Sequence, residues 1–547
     1  MILSYKYRLL ILELIFISIF VLIWIQLFNL QIVKSPGLIS EARKQFYKQP
    51  VLLRGDIRDR SGELLVLDVI TYDIYNNVRN LNKISENKIS ELAGLLKIST
   101  NDLKVKLNQK IDTRIFLGIN EDTTNRIHKI NPGFIYLVPK VTRVYPHKKM
   151  AAHIIGFVNN EHKGQHGVEY FHENLLTKVF ESTKRTELFP KGTDIVLTID
   201  SVLQEYAEEE LNKATKKSKA TRGTIIVLSP GTGEIYAWAV YPTYDPNIFY
   251  KEKSIKNWSI TDIYEPGSTF KIVTVSSALE NMTISHNSTF YDPGSIVVGK
   301  RIIKNHHKTK PQYINLLELF KQSSNVAAAQ IGLTMMPETF HQSIKKFMIA
   351  SKTNIDLPGE SQGLLLDYKK WKKIDLATTA FGQGAVSVTP LQLACAVSTI
   401  ANHGIWVQPH VLKGIWEPGY ELINKSPYQV LHEQVISQEV SDFVSTLLKQ
   451  SVQENLKVMA YIAGNVPGYE VAGKTGTAQK IRSDGKGYLS GHTVASFIGY
   501  LPAGDPKILT LVVIDDPKTE GGWGNTVCGP VFNNVSRLAA KRILEDE

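Results

Sequence analysis

The sequence predicts an α/β (α+β) protein: one N-terminal apolar helix, a mixed pedestal of short strands and helices, and a C-terminal domain whose antiparallel sheet is flanked by helices. Three observations carry that expectation. Residues 9–33 are apolar except for Glu13, Ser18, Gln26, Asn29 and Gln31. Residues 224–228 and 234–240 flank Ser229-Pro230-Gly231-Thr232-Gly233, a hairpin by length and turn chemistry. Two late strands, at 496–500 and 508–514, precede a helix that starts behind Gly529-Pro530 and turns Val531, Val535 and Leu538 inward. Strands at both ends of a stretch, with helices between, close into one sheet packed by helices.

The bulk properties agree. A chain of 547 residues is too long for one compact core, so two to four domains are expected. With 43% hydrophobic and 21% charged residues it reads as globular rather than disordered. The net charge of +11 is spread along the chain and no nucleic-acid module accompanies it, so an anionic membrane or wall surface is the expected counterpart. There are two cysteines. Cys395, in Leu393-Ala394-Cys395-Ala396-Val397, reads as a small buried hydrophobe, and spacing does not decide whether it pairs with Cys528.

Taken in order, residues 1–8 form a short tail and 9–33 an anchor. As a helix the anchor spans about 38 Å at ~1.5 Å per residue, enough for a hydrocarbon core of about 30 Å. Lys6 and Arg8 precede it without an acid, which places the N-terminus in the cytoplasm and the rest of the chain outside. A cleaved signal peptide competes with this reading, but no Ala-x-Ala site follows the apolar run. Glu13 reads either as a partner contact in the membrane or as a side chain reaching the headgroups.

Residues 34–195 form the pedestal. Near its start, Arg54-Gly55-Asp56-Ile57-Arg58-Asp59-Arg60-Ser61-Gly62-Glu63-Leu64-Leu65 is a charged turn between strands. Ile89, Leu92 and Leu96 mark one amphipathic helix, and Leu103 with Leu107 another, behind Asn101-Asp102. A linker helix over 196–222 is capped by Thr198-Ile199-Asp200 and carries Leu203, Tyr206, Ala207 and Leu211 on one face. The lysine-rich residues 213–219 read as a solvated connection. The C-terminal domain takes 223–547.

Within that domain stands Tyr264-Glu265-Pro266-Gly267-Ser268-Thr269-Phe270-Lys271. A helix beginning near Ser268 puts its hydroxyl beside the Lys271 amine, since residues three apart share a face. A neutral amine there can take the proton of an otherwise poor nucleophile. Ser323-Ser324-Asn325 lies at a helix entry, and Lys474-Thr475-Gly476-Thr477 follows an extended piece at Val471-Ala472-Gly473. Each alone reads as a cap or a turn. In this order, S-x-x-K, S-x-N and K-T-G form the signature of penicillin-binding proteins and class A β-lactamases.

The chain resembles a class B penicillin-binding protein, most closely the division-type FtsI-like transpeptidases, from about Arg54 to its C-terminus. Residues 54–65 also match the R-G-x-I-x-D-R-x-G-x-x-L run of that family's non-catalytic domain, which β-lactamases lack, and Arg143-Val144-Tyr145-Pro146 and Gly164-Gln165-His166-Gly167-Val168-Glu169 are similar landmarks. The resemblance implies the penicillin-recognising fold and these roles: Ser268 the acyl-enzyme nucleophile, Lys271 its base, Ser323 a proton relay, Asn325 a hydrogen-bonding clamp and Lys474 the cation that keeps Lys271 neutral. It implies that Thr475, Gly476 and Thr477 receive the substrate, with the backbone N–H groups of Ser268 and Thr477 as oxyanion donors. It further implies D-alanyl-D-alanine stem peptides and an amine acceptor as substrates, β-lactams as mimics, no metal or cofactor, no nucleic acid, and a membrane-embedded FtsW-like partner polymerase of the SEDS family among other division proteins.

Rival readings remain open here. A membrane-anchored serine β-lactamase would need to activate water for deacylation. A β-lactam sensor would need several membrane spans, a class A enzyme a glycosyltransferase motif before Gly223, and a division scaffold no intact motifs. Ile260-Thr261-Asp262 ahead of the Ser268 motif, with the length, favours division over elongation. The pair His306-His307 reads as a surface loop, Phe381-Gly382-Gln383-Gly384 with Val388-Thr389-Pro390-Leu391-Gln392 as a landmark beside the cleft, His492 as structural, and Asp515-Asp516 as a strand end.

Overall fold

A computed structural model of the protein describes residues 5–29, 31, 52–78, 85–109, 111, 113–130, 132–179, 190–252, 254–306, 310–416, 431–458, 463–482, 487–519 and 522–545. The chain divides into two units, one of residues 1–53 with 179–191 and the other of 54–178 with 192–547. The first unit contains the helix Tyr5–Phe28, whose residues Leu10–Phe28 are long and apolar enough to cross a membrane. The outer end expected up to Val33 runs past Gln31 into residues outside those described.

The larger unit holds the two largest sheets. The pedestal sheet runs Leu412–Trp416, Asp194–Leu197, Ile57–Arg58, Leu64–Asn76 and Arg114–Ile119, with Ile135–Val144 also paired to the long strand Leu64–Asn76. Its tight turn closes at Gly62, where φ is +93°. The helix Glu86–Leu96 buries Ile89, Leu92 and Leu96 as its period requires. Thr100–Leu107 buries Leu103 and Leu107, although its cap is Ser99, whose hydroxyl accepts from Asp102 N–H, rather than Asn101.

Beneath this sheet the sequence landmarks meet in a buried ion network. Arg54 Nη2 lies 2.7 Å from Glu169 Oε2, Arg143 Nε 2.7 Å from Glu169 Oε1, and Arg143 Nη1 3.2 Å from Asp68 Oδ1. All four side chains are at most 1% exposed. Gly55 fits because a Cβ there would stand 1.7 Å from the Thr193 carbonyl oxygen.

The second sheet is antiparallel throughout, in the order Ala472–Ile481, Tyr488–Leu501, Ile508–Asp515, Arg222–Leu228, Ile235–Tyr241. Strand alternation splits its residues between two cores. Ile225, Val227, Val512 and Ile514 pack with Leu203, Ala207, Val531 and Val535 of the helices Ser201–Ser218 and Gly529–Ala540. Ile226, Leu228, Leu511 and Val513 face the other way, toward Val273 and Leu393 of Lys271–Glu280 and Pro390–Ala401. Leu538 is half-buried beside the first of these cores.

One expectation is corrected. Residues 213–218 are not a connection but the last turns of Ser201–Ser218, which is capped at Asp200 and ends at Lys219 with φ +50°. The lysines occupy one face only, while Thr215 and Ser218 are buried on the other and donate their hydroxyls to Leu211 and Ala214 carbonyls. Cys395 and Cys528 are both buried and free.

Candidate active site

The turn at Pro266-Gly267, with φ +60° at Gly267, leads into a tight 3-10 turn over Gly267–Phe270 and then the α-helix Lys271–Glu280. This geometry places the Lys271 Nζ 3.0 Å from the Ser268 Oγ. Lys271 is fully buried at 0% exposure, whereas Ser268 is half-buried and lines the cleft.

The second motif arrives between two helices, Leu316–Gln322 and Asn325–Thr334. Ser324 caps the latter, its hydroxyl accepting from Ala327 N–H. Ser323 sits in the left-handed region, φ +54°, so the chain reverses and its polar atoms face Lys271. The amine reaches the Ser323 carbonyl oxygen at 2.6 Å, the Ser323 Oγ at 3.2 Å and the Asn325 Oδ1 at 2.8 Å.

The third motif lies on the cleft strand Ala472–Ile481. Lys474 is buried, and among the described residues its amine donates to the Thr475 carbonyl and hydroxyl oxygens, both at 3.3 Å. Gly476 lets this strand lie against the Ser268 turn: a Cβ there would stand 2.3 Å from Ser496 Oγ and 2.9 Å from Thr269 Cγ2. The Thr477 carbonyl oxygen would lie 3.0 Å from a Cβ on Gly267, so the strand passes directly beside the turn that carries Ser268. All three motifs therefore converge, with Ser268, Ser323, Asn325, Thr475 and Thr477 lining one cleft of about 740 Å³.

Electrostatics follow from burial. Lys271 is held well below the ordinary lysine value, by burial first and by the charge of Lys474 second, with Asp292 opposing. Burial brings Lys474 down to about 7. Two buried amines this close cannot both keep a proton cheaply, and Lys271, pressed from both causes, is the one kept neutral. A neutral amine has two N–H bonds and one lone pair. The Ser323 carbonyl and Asn325 Oδ1 can only accept, so they take the two N–H bonds and leave the lone pair for a hydroxyl proton.

Several supporting residues escape sequence reasoning. Asn305 Oδ1 accepts from the backbone N–H of Asn325 and Val326, while its amide donates to both carboxylate oxygens of Asp292. Ser324 Oγ donates to Asp292 as well, so these two side chains hold the Ser323 loop in place. Glu265, buried just before the Ser268 turn, accepts from Gly384 N–H at 2.7 Å and from the Tyr488 hydroxyl at 3.3 Å, and burial pushes its carboxyl up to about 7. An acid directly before Pro-Gly was the available signal for both Glu265 and Asp292, while Asn305 offered none.

The remaining candidates fall into place. Gly382 accepts from Gly267 N–H at 3.0 Å, and Gln383 lines the cleft. Thr389 and Gln392 form a capping box for Pro390–Ala401. His306 lines the cleft with its ring 4.2 Å from that of Trp523, and His307 lies outside the described residues. His492 pairs with Asp516 at 2.8 Å, and Asp515 with Arg222 and Lys480 at 2.7 Å each. Among the described residues no group of three His, Cys, Asp or Glu side chains is placed to hold a metal.

Comparisons with known proteins agree on the class. The family model described as the penicillin binding protein transpeptidase domain matches residues 223–537, and that of the penicillin-binding protein dimerisation domain matches 51–185. The chain is 31% identical to the peptidoglycan D,D-transpeptidase FtsI homolog of Mesostigma viride over 95% of this chain and 93% of the relative. It is 30% identical to stage V sporulation protein D of Bacillus subtilis, covering 97% and 85%. Penicillin binding protein 3 of Mycobacterium tuberculosis, solved with aztreonam, shares the fold at TM-score 0.71 and 24% identity, covering 90% of this chain and 96% of that one. Fold and comparisons together define a penicillin-binding transpeptidase. The chain belongs to the FtsI-like, class B family of these enzymes.

Proposed function

We propose that this chain cross-links peptidoglycan stem peptides outside the cytoplasmic membrane by a serine acyl-enzyme route, in septal wall synthesis during division. The observation that carries the reading is the buried Lys271 amine, whose two N–H bonds are occupied by acceptors and whose lone pair is left for Ser268.

In the first stage Lys271 takes the Ser268 proton and Oγ attacks the penultimate D-alanine carbonyl. The oxyanion is received by the backbone N–H groups of Ser268 and Thr477; losing one such donor commonly costs about a hundredfold or more. The C–N bond to the terminal D-alanine then breaks as Ser323 relays the proton held by Lys271 to the departing amine, which leaves Lys271 neutral again. Lys474, Thr475 and Thr477 take the terminal carboxylate, which restores charge to Lys474 and so strengthens the pressure on Lys271 to stay neutral. In the second stage an amine of a neighbouring stem attacks the ester, its surplus proton passes to Lys271, and Lys271 returns it to Ser268 Oγ, which leaves as the alcohol. A β-lactam occupies the donor position and stalls at the ester.

The apolar helix supports a single-pass anchor with a cytoplasmic N-terminus, and a separate FtsW-like partner polymerase belongs to the same reading. The domain limits that we assign are 34–195 for the pedestal, 196–222 for the linker helix and 223–547 for the transpeptidase. A second reading, an elongation-type role, keeps the chemistry and changes the occasion; the relative named stage V sporulation protein D, at 30% identity against 31% for the FtsI homologue, shows that chains this similar carry names other than FtsI. Mass spectrometry of the penicillin-labelled chain tests the chemistry. The label is expected on the peptide containing Ser268 and lost in Ser268→Ala; a label elsewhere overturns the assignment. Depletion in cells separates the occasions, since failed septa with normal elongation mark the division role.

A further inference from the structure

The described lining of the cleft contains no aspartate or glutamate, yet two full positive charges, Arg301 and Lys304, face into it. Both are exposed, and neither side chain has a hydrogen bond or ion pair among the described residues. Cations left uncompensated in a concave site focus an attractive field for anions.

Their position along the cleft is fixed at both ends of one short strand, Arg301–Lys304, paired to Ser295–Val298. At one end the Lys304 carbonyl accepts from Asn325 Nδ2 at 3.1 Å, which ties it to the Ser268–Lys271 centre. Three residues away, about 10 Å along the strand, Arg301 comes near Tyr488. The Tyr488 phenol is pushed up by burial and then by Glu265, and the Arg301 charge opposes that. Tyr488 in turn pairs with Ile481, at the end of the cleft strand remote from Lys474.

A donor peptide laid along the cleft strand with its terminal carboxylate at Lys474, Thr475 and Thr477 advances about 3.4 Å per preceding residue. It therefore runs past Ala478 and Gln479 toward Tyr488 and Arg301. The residue before the D-alanyl pair is the first whose side chain is clear of the reacting groups and free to cross the cleft.

We propose that Arg301 and Lys304 form an anion subsite that takes a second carboxylate of the donor stem, carried by the residue preceding D-alanyl-D-alanine. The inference rests on the transpeptidase reading. The guanidinium fork of Arg301 matches a carboxylate in two parallel hydrogen bonds, and Lys304 adds a point charge.

The test uses the full-length chain and two donor peptides ending in D-alanyl-D-alanine, one with a free side-chain carboxylate on the preceding residue and one with that group amidated. A fluorescent penicillin first titrates Ser268 in each preparation, which reports folded protein. D-Alanine release is then expected to favour the carboxylate peptide by about tenfold in kcat/KM, through KM, with the preference shrinking at high salt. Arg301→Ala should bring the ratio near one and Arg301→Glu should invert it, with a smaller effect for Lys304→Ala. No preference in the unaltered chain, or an equal loss on both peptides in Arg301→Ala, overturns the subsite. Absence of penicillin labelling in the unaltered chain instead overturns the transpeptidase reading, and the subsite with it.

Discussion

Lys474 shows how a single residue trades stability against chemistry. Its ammonium is buried with two weak contacts, and its pKa falls from 10.5 to about 7. Between those values the unfolded chain holds a proton that the folded chain has released, so this group makes stability rise with pH across that window. Lys474→Met fills the same space without a charge. It is expected to raise stability by about 1–2 kcal/mol at pH 7, less toward pH 10, while penicillin acylation collapses. Urea unfolding at the two pH values checks this, and a gain that grows toward pH 10 would contradict it. Lys271 makes the complementary prediction for rate. Because its amine is held far below the ordinary value, the acid limb of the acylation–pH profile should have its midpoint well below 10.5; a midpoint near 10 would mean a charged, inactive base. The serine and lysine of this pair were legible in the sequence because their relation is local, three residues on one helical face. Asp292, Asn305 and Glu265 were not, because each acts on a partner that only folding brings near.

At the scale of elements, the cleft depends on how closely one strand can approach one turn. Gly476→Ala would set a methyl group into Ser496 Oγ and Thr269 Cγ2, and the strand would have to retreat from Ser268. A displacement on the order of 1 Å can cost about a hundredfold in rate, so acylation should fall by that order while the far-ultraviolet spectrum stays unchanged. Stopped-flow labelling distinguishes this from unfolding. Strong local patterns were read correctly at this scale: the hairpin around Ser229–Gly233, the capping of Ser201–Ser218 by Asp200, and the helix behind Gly529-Pro530. The lysine-rich turns of 213–218 were misread because a solvated helix face and a solvated loop share a composition; Thr215 and Ser218, spaced to share the buried face, were the overlooked sign.

For the molecule as a whole, the buried charges under the pedestal sheet are a structural liability held in balance. Glu169 bridges the buried Arg54 and Arg143, and Glu169→Ala leaves Arg54 with the half-buried Glu173 and Arg143 with Asp68 as the remaining carboxylates. The expected loss is about 3 kcal/mol, because buried guanidinium N–H groups lose their acceptor, measured by denaturant unfolding, with penicillin labelling retained under conditions where the protein still folds. The landmarks in this network were readable as a motif, but not as a network, since Arg54 and Glu169 are far apart in the chain.

The pedestal sheet also ends in a strand, Leu412–Trp416, that the chain supplies only after the Ser268 and Ser323 motifs have been laid down. A fragment beginning at the family boundary near residue 223 would keep that strand and lose its Asp194–Leu197 partner. It would present a raw row of backbone donors and acceptors to every neighbouring molecule, which is how sheets recruit one another into aggregates. Light scattering should show such a fragment clumping where the full chain stays dispersed, so solubility here is a property of two distant segments holding hands across the chain.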